Sequence, residues 1–232
     1  MSHRTVKIIP ALDTTSLESA SALARRVAHL DSIYGFKVGF SLGLTHGLPQ
    51  VVSQLRVFTD KPIIYDHQKA ATDIPDTGKL FAGTLAEAGV TEAILFPQSG
   101  PATLEAWTRA LQDNGLKTIV GGVMTHPKYL QSEGGFILDE GVTRMYKTAL
   151  DAGVTSFVVP LTKPDITRRI YDDTGMSSEH EFYSPGFGKQ GGDPLNFSFI
   201  NRHYLIIGRS LLQADDPEAY VQSVAKEVGI SS

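Results

Sequence analysis

Ser184-Pro185-Gly186-Phe187-Gly188-Lys189-Gln190-Gly191-Gly192-Asp193-Pro194, followed by Ile206-Ile207-Gly208-Arg209-Ser210, are the stretches whose reading decides the fold. Four glycines fall within seven residues, framed by prolines, behind a short apolar run. A second apolar run then ends in a Gly-Arg pair. Glycine lets backbone N–H groups approach an anion with no side chain in the way. Arginine presents a planar fork of donors that matches phosphate oxygens. Two consecutive strand ends therefore read as a grip for one phosphate monoester.

The place of this grip along the chain sets the architecture. Apolar runs predict strands at Val6–Asp13, Tyr34–Phe40, Pro62–Asp66, Ala93–Pro97, Thr118–Met124, Ser156–Pro160, Phe182–Pro185 and Tyr204–Gly208. Most are continuous rather than alternating, the pattern of strands covered on both faces in a parallel sheet. Between them, helical periodicity predicts helices at Ser16–Leu30, Thr77–Ala88, Leu104–Leu111, Val142–Ala152 and Pro217–Val228, and Lys163-Pro164-Asp165 reads as a helix start. Strand–helix repeats imply βαβ units. A doubly wound sheet would carry its glycine loop after the first strand. Here the loop follows the seventh strand and Gly208-Arg209 ends the eighth, the recurrent phosphate position of a (β/α)8 TIM barrel. No linker rich in Pro, Gly or Ser interrupts the pattern, so residues 1–232 are expected to form a single α/β domain of this kind, with its site at the C-terminal strand ends.

Composition narrows the function. Of the 232 residues, 41% are hydrophobic and 20% charged, as in ordinary globular proteins. A net charge of −4 argues against a general nucleic-acid binder. Cysteine is absent, which excludes disulfides and thiolate metal sites. No apolar run approaches the ~20 residues that span a bilayer, and a soluble cytoplasmic protein is expected. Gly186-x-Gly188-x-x-Gly191 matches the dinucleotide fingerprint, but no Asp or Glu stands where the ribose ligand should follow. The seven histidines show no metal-ligand spacing.

Charged residues recur at the predicted strand ends. Asp13 ends the first strand, Lys37 lies in the second, Asp66 ends the third with Lys69 and Asp73 beyond it, and Thr125-His126-Pro127 follows the fifth. A lone surface ion pair is worth only ~0–1 kcal/mol, yet repeated charge at the same end of apolar strands reads as a site. In an alternating Asp–Lys–Asp–Lys array each ammonium is held charged by its carboxylate neighbours. Such an array suits a carbanion-like transition state formed by loss of carbon dioxide. Residues 127–137, with Ser132, Gly134 and Gly135, read as a mobile loop and a lid candidate.

These elements resemble the orotidine 5′-phosphate decarboxylase family. Ala11-Leu12-Asp13, Lys37-Val38-Gly39, Asp66…Lys69…Asp73-Ile74-Pro75-Asp76-Thr77, Met124-Thr125-His126-Pro127, the Ser184–Pro194 loop and Ile207-Gly208-Arg209-Ser210 occur in that family's order. The resemblance implies a homodimer of barrels, a carboxy-lyase that converts orotidine 5′-monophosphate to UMP in pyrimidine biosynthesis without metal or cofactor. By position, Asp13 and Lys37 would contact the ribose, Asp66 the orotate carboxylate, and Lys69 would protonate C6. Asp73 and Thr77 would reach the neighbouring site of the dimer. Thr125 would meet the pyrimidine, Gln190 would bridge pyrimidine and phosphate, and Pro185, Gly186, Gly188, Gly208 and Arg209 would hold the phosphate end. Two other readings are a magnesium-dependent sugar-phosphate decarboxylase or aldolase of the same wider family, and a non-catalytic UMP-binding barrel.

One spacing departs from the family's Asp-x-Lys-x-x-Asp. This chain reads Asp66-His67-Gln68-Lys69-Ala70-Ala71-Thr72-Asp73, one residue longer in each gap. On a regular strand, side chains three apart face opposite ways. Either a bulge re-aims the chain or the backbone turns immediately after Asp66.

Overall fold

The structure, a computed structural model, describes residues 4–67, 71–188 and 190–230. Strands β1 (Thr5–Leu12), β2 (Phe36–Gly39), β3 (Ile63–Asp66), β4 (Glu92–Leu95), β5 (Lys117–Gly121), β6 (Ser156–Val158), β7 (Glu181–Pro185) and β8 (Arg202–Ile207) close in sequence order into a parallel barrel, β8 returning to pair with β1. Helices α1 (Leu17–Val27), α2 (Phe40–His46), α3 (Leu48–Arg56), α4 (Thr77–Glu87), α5 (Pro101–Asp113), α6 (Asp139–Asp151), α7 (Pro164–Thr174), α8 (Arg209–Leu212) and α9 (Pro217–Glu227) fall between and after the strands. This is the (β/α)8 architecture expected from the order of apolar runs. Among the described residues, no helix is long and apolar enough to cross a membrane.

Alternation along each strand sorts the side chains into two cores. Ile9, Ala11, Ile64, Ile94, Ile119, Val158 and Ile206 point into the barrel. Their strand neighbours, such as Ile8, Leu12, Phe36, Val38, Phe157 and Leu205, point outward under the helices. Continuous apolar strands are therefore explained by burial on both faces.

The inward rows are apolar only in the middle. At the floor, the Lys117 ammonium contacts the Glu181 carboxylate and donates to the Tyr183 hydroxyl at 2.8 Å and the Tyr34 hydroxyl at 3.2 Å. Tyr34 in turn donates to Glu92 at 2.5 Å. Burial, with Glu92 nearby, pushes the Tyr34 and Tyr183 hydroxyls up, and burial also raises the Glu92 carboxyl. This network fills the N-terminal end of the barrel.

Element boundaries differ from the sequence reading for local reasons. Helix α5 starts at Pro101 rather than Leu104, because proline is suited to a first turn but breaks apolar periodicity. Strand β5 stops at Gly121, since the next amide, of Gly122, donates to the Tyr146 hydroxyl at 3.0 Å rather than to the sheet. Helices α2 and α3 were not anticipated. They are short and share Gly47, at φ 79°, as the end of one and the start of the other.

Outside the barrel wall lies a fully buried histidine. His203 on β8 packs against Phe197, and its Nε2 is 2.8 Å from the Ser184 hydroxyl. Burial, assisted by Arg4, lowers its pKa from 6.5 to about 3. Between those values the unfolded chain binds the proton and the folded chain does not, so stability is full above pH 6.5 and falls on acidification. The slope is about 1.4 kcal/mol per pH unit for one such group. His203→Gln is expected to flatten the acid limb of Tm measured against pH between about 6 and 4. An unchanged acid limb would assign acid sensitivity elsewhere.

Candidate active site

A cavity of about 290 Å³ opens at the C-terminal end of the barrel. Asp13, Lys37, Asp66, Thr125, Pro185, Gly186, Gln190, Gly208 and Arg209, drawn from six different strand ends, all line it. The barrel's apolar middle, with Ile94, Phe96, Val158 and Ile206, forms its base.

Strand register explains the charged wall. Ala11 lies opposite Lys37, and Gly39 opposite Asp66. Asp13 and Asp66 thus flank Gly39, with Lys37 one inward step below. The Lys37 ammonium rises between them, 2.9 Å from Asp13 Oδ1 and 3.1 Å from Asp66 Oδ2. Only 4% of the Lys37 side chain is exposed, against 43% for Asp13. Burial works against this charge, but Asp66 and Asp13 outweigh it and hold the lysine above its ordinary pKa. The lysine is therefore a fixed cation, a donor and not a base. Gly39 makes room for the triad, since a Cβ there would stand 2.8 Å from Asp13 Oδ1.

The opposite wall is backbone. Gly186 adopts φ 110°, which L side chains rarely adopt. The loop folds back on itself through Gly191 N–H to Gly188 O at 2.8 Å and Gly192 N–H to Gly186 O at 3.0 Å. Asp193 ends the loop by accepting from the Leu195 amide at 2.8 Å, so it caps the following turn and does not face the cavity. Gly188 stands behind the wall, near the Ser210 and Tyr220 hydroxyls. Ser210, quoted with the Gly-Arg pair in the sequence but given no role there, lines the cavity beside Arg209, and its oxygen accepts from the Tyr220 hydroxyl at 3.0 Å. Adjacency to the Gly-Arg pair was the signal for it.

Asp73 and Thr77 do not line this cavity. Asp73 accepts from the Ile74 amide at 2.7 Å, and the Thr77 hydroxyl donates to Ile74 O at 2.8 Å; both stand apart from the cavity lining. Lys69 lies outside the described residues. Strand β3 ends at Asp66, and the chain has φ 65° at buried Ala71; residues 68–70, on which the choice between a bulge and a turn depends, lie outside the described residues. His67 Nδ1, just past β3, lies 2.6 Å from the Tyr65 hydroxyl, and His126, after β5, packs edge-on against Tyr129. Among the described residues no three His, Cys, Asp or Glu side chains are grouped to hold a metal ion.

Comparison with known proteins follows the same lines. A family model described as "Orotidine 5'-phosphate decarboxylase / HUMPS family" matches residues 6–224. The chain is 29% identical to the orotidine 5′-phosphate decarboxylase of Methanosarcina mazei over 226 residues, covering 97% of this chain and 96% of that one. It is 30% identical to the Methanosarcina barkeri protein of the same name over 224 residues, covering 95% and 94%. Among solved structures, the orotidine 5′-monophosphate decarboxylase of Methanocaldococcus jannaschii complexed with the inhibitor BMP superposes with a TM-score of 0.82 at 23% identity, over 97% of this chain and 98% of that one. The Pyrococcus horikoshii OT3 enzyme gives 0.79 at 26%, over 97% and 100%.

The packing at Gly39 is open to test. Gly39→Ala should cost ~1–3 kcal/mol in urea unfolding, the range for overpacking a filled site. In an Asp13→Ala background most of that cost should vanish, a coupling that a double-mutant cycle reads directly. Equal costs in both backgrounds would mean that the carboxylate is not what the methyl meets.

Proposed function

The chain belongs to the orotidine 5′-phosphate decarboxylase / HUMPS family, and from that premise we propose that it converts orotidine 5′-monophosphate to UMP and carbon dioxide. The observation that carries this reading is the cavity's two-ended chemistry. A buried ammonium between two carboxylates forms one wall, and a glycine loop with Gly208-Arg209 forms the other. Fixed charges beside a phosphate-type grip suit a nucleotide held by its phosphate.

In this reading Asp13 and Lys37 bind the ribose hydroxyls, and Lys37 stays charged throughout. The glycine loop, Gln190 and Arg209 hold the phosphate, while Thr125 meets the pyrimidine edge. Asp66 stands beside the substrate carboxylate. The C6–carboxylate bond breaks, its electron pair stays on C6, and the Lys69 ammonium donates a proton there; water later reprotonates the lysine. No metal or cofactor takes part. Asp73 and Thr77, which lie off this chain's own cavity, serve the site of a second copy in a homodimer. Residues 1–232 act as one domain, in pyrimidine biosynthesis in the cytoplasm.

Magnitudes distribute the work. Enzymes lower barriers by ~8–23 kcal/mol, and a carbanion on an sp2 carbon calls for the upper end. Proton donation supplies ~10²–10⁴-fold. Fixed charges and binding energy at the distant phosphate supply the remainder. That division gives the phosphate wall a purpose although no bond to phosphorus changes.

The test is the fall in ultraviolet absorbance as orotidine monophosphate becomes UMP, run with and without a chelator. Turnover is expected in both. Arg209→Ala should raise KM strongly and reduce kcat/KM by several kcal/mol, on the order of 10²-fold or more. Lys69→Ala should abolish turnover yet still bind UMP. Near-wild-type turnover in Lys69→Ala removes the proposed proton donor. Loss of activity with chelator favours the magnesium-dependent reading, and tight UMP binding without turnover favours the non-catalytic one.

A further inference from the structure

Tyr220 links the last helix of the chain to the phosphate side of the cavity. The start of α9 is fixed from outside: Asp216 caps its first turn by accepting from the Glu218 amide at 3.1 Å and the Ala219 amide at 3.3 Å, and Arg26 on α1 donates to the same carboxylate oxygen at 2.8 Å. Val221 and Val224 bury the inner face of the helix. Tyr220, half-buried in that first turn, donates to Ser210 Oγ at 3.0 Å.

Ser210 lines the cavity beside Gly208 and Arg209. Its Oγ also faces the glycine loop, since a Cβ on Gly188 would stand 3.5 Å from it and 3.7 Å from the Tyr220 hydroxyl. The serine hydroxyl therefore sits where the two halves of the grip meet. Such a hydroxyl carries one proton and two lone pairs. Tyr220 occupies one lone pair, and the phenol is the stronger acid of the two, so the bond runs from tyrosine to serine. Among the described residues no protein group accepts the Ser210 proton. That proton is left for a ligand, and a phosphate dianion is a cluster of strong acceptor oxygens. Arg209 is exposed, so water and salt screen its charge, whereas Ser210 is half-buried and directed from behind. Hydrogen bonds in a chain polarise one another, so a hydroxyl that already accepts becomes a better donor.

We propose that Ser210 is a further ligand of the phosphate, donating its hydroxyl proton to a phosphate oxygen, and that Tyr220 is the positioning residue that holds this proton toward the cavity. The proposal rests on reading the cavity as a nucleotide monophosphate site and deepens it: the phosphate is selected by a neutral, directed donor as well as by Arg209 and glycine backbone. Tyr220 acts only through Ser210. A bond that merely held α8 against α9 would leave the choice of ligand unchanged.

The experiment measures the affinity of wild type, Ser210→Ala, Tyr220→Phe and the double variant for UMP and for uridine by NMR titration, with Tm and turnover of orotidine monophosphate followed on the same proteins. Wild type is expected to bind UMP far more tightly than uridine. Ser210→Ala should weaken UMP binding about tenfold or more, the range for a lost bond to a charged group, and leave uridine within about twofold. Tyr220→Phe should weaken UMP binding about threefold and add nothing to Ser210→Ala in the double variant. Unchanged UMP binding in Ser210→Ala, or equal losses for UMP and uridine, overturns the proposal. Additive losses in the double variant remove the role of Tyr220. Tighter UMP binding in Tyr220→Phe overturns the direction of the bond, because Ser210 would then have been donating to the tyrosine. Wild type that binds UMP no better than uridine rejects the phosphate reading of the whole cavity, and the role of Ser210 with it. The expected binding pattern without turnover rejects decarboxylation and leaves the phosphate ligand standing.

Discussion

An ammonium group held between two carboxylates inside the mouth of a barrel is the constraint around which the site is arranged. Taking Lys37 out of water costs several kcal/mol, and the cost is recovered only when opposite charges sit at hydrogen-bond distance. Asp13 and Asp66 meet that condition at 2.9 and 3.1 Å. Asp66 ends β3 and Asp13 directly follows β1, and both strands pair with β2, so sheet register sets their places. Gly39 completes the arrangement by leaving empty the inward slot between the two acids. Charges fixed by strands need little reorganisation when a reaction develops charge nearby, which is the main source of electrostatic catalysis.

The opposite end of the barrel uses similar chemistry for a different result. Lys117 meets Glu181, the hydroxyls of Tyr34 and Tyr183, and the rings of three tyrosines. There every partner is supplied by protein and the space is filled. At the mouth, Asp13 remains substantially exposed and a cavity remains beside it. Between the two lies a layer of isoleucines with few polar atoms. Apolar material there keeps the charges of mouth and floor from sharing water, so each set is tuned by its own neighbours.

What the sequence disclosed follows from how local each signal is. All eight strands were legible because burial on both faces leaves unbroken apolar runs, and the phosphate wall because Gly186, Gly188 and Gly208-Arg209 form compact patterns. Helices α2 and α3 escaped because Gly47 and Pro49 interrupt any helical period across 40–56. Ser210 was legible only as a neighbour of Arg209. Lys163 was legible only as the start of a helix. Its partner is Glu133, thirty positions away in the chain. Pairings of that kind are decided by packing, and no window of sequence contains both partners.

The longer spacing from Asp66 to Asp73 shows the same limit from the other side. A parity rule for side-chain direction applies only while the chain remains a strand. Strand β3 ends at Asp66, so the rule lapses there. The next anchor is Ala71, buried and at φ 65°, a conformation that costs a non-glycine residue roughly 1–2 kcal/mol. Thr103 then donates to Asp73 O at 2.8 Å and Trp107 to Ile74 O at 3.1 Å, so α5 holds the far end of the segment. Asp66, held by Lys37, and the Asp73 backbone, held by α5, are thus tied to neighbouring elements at the two ends of the segment.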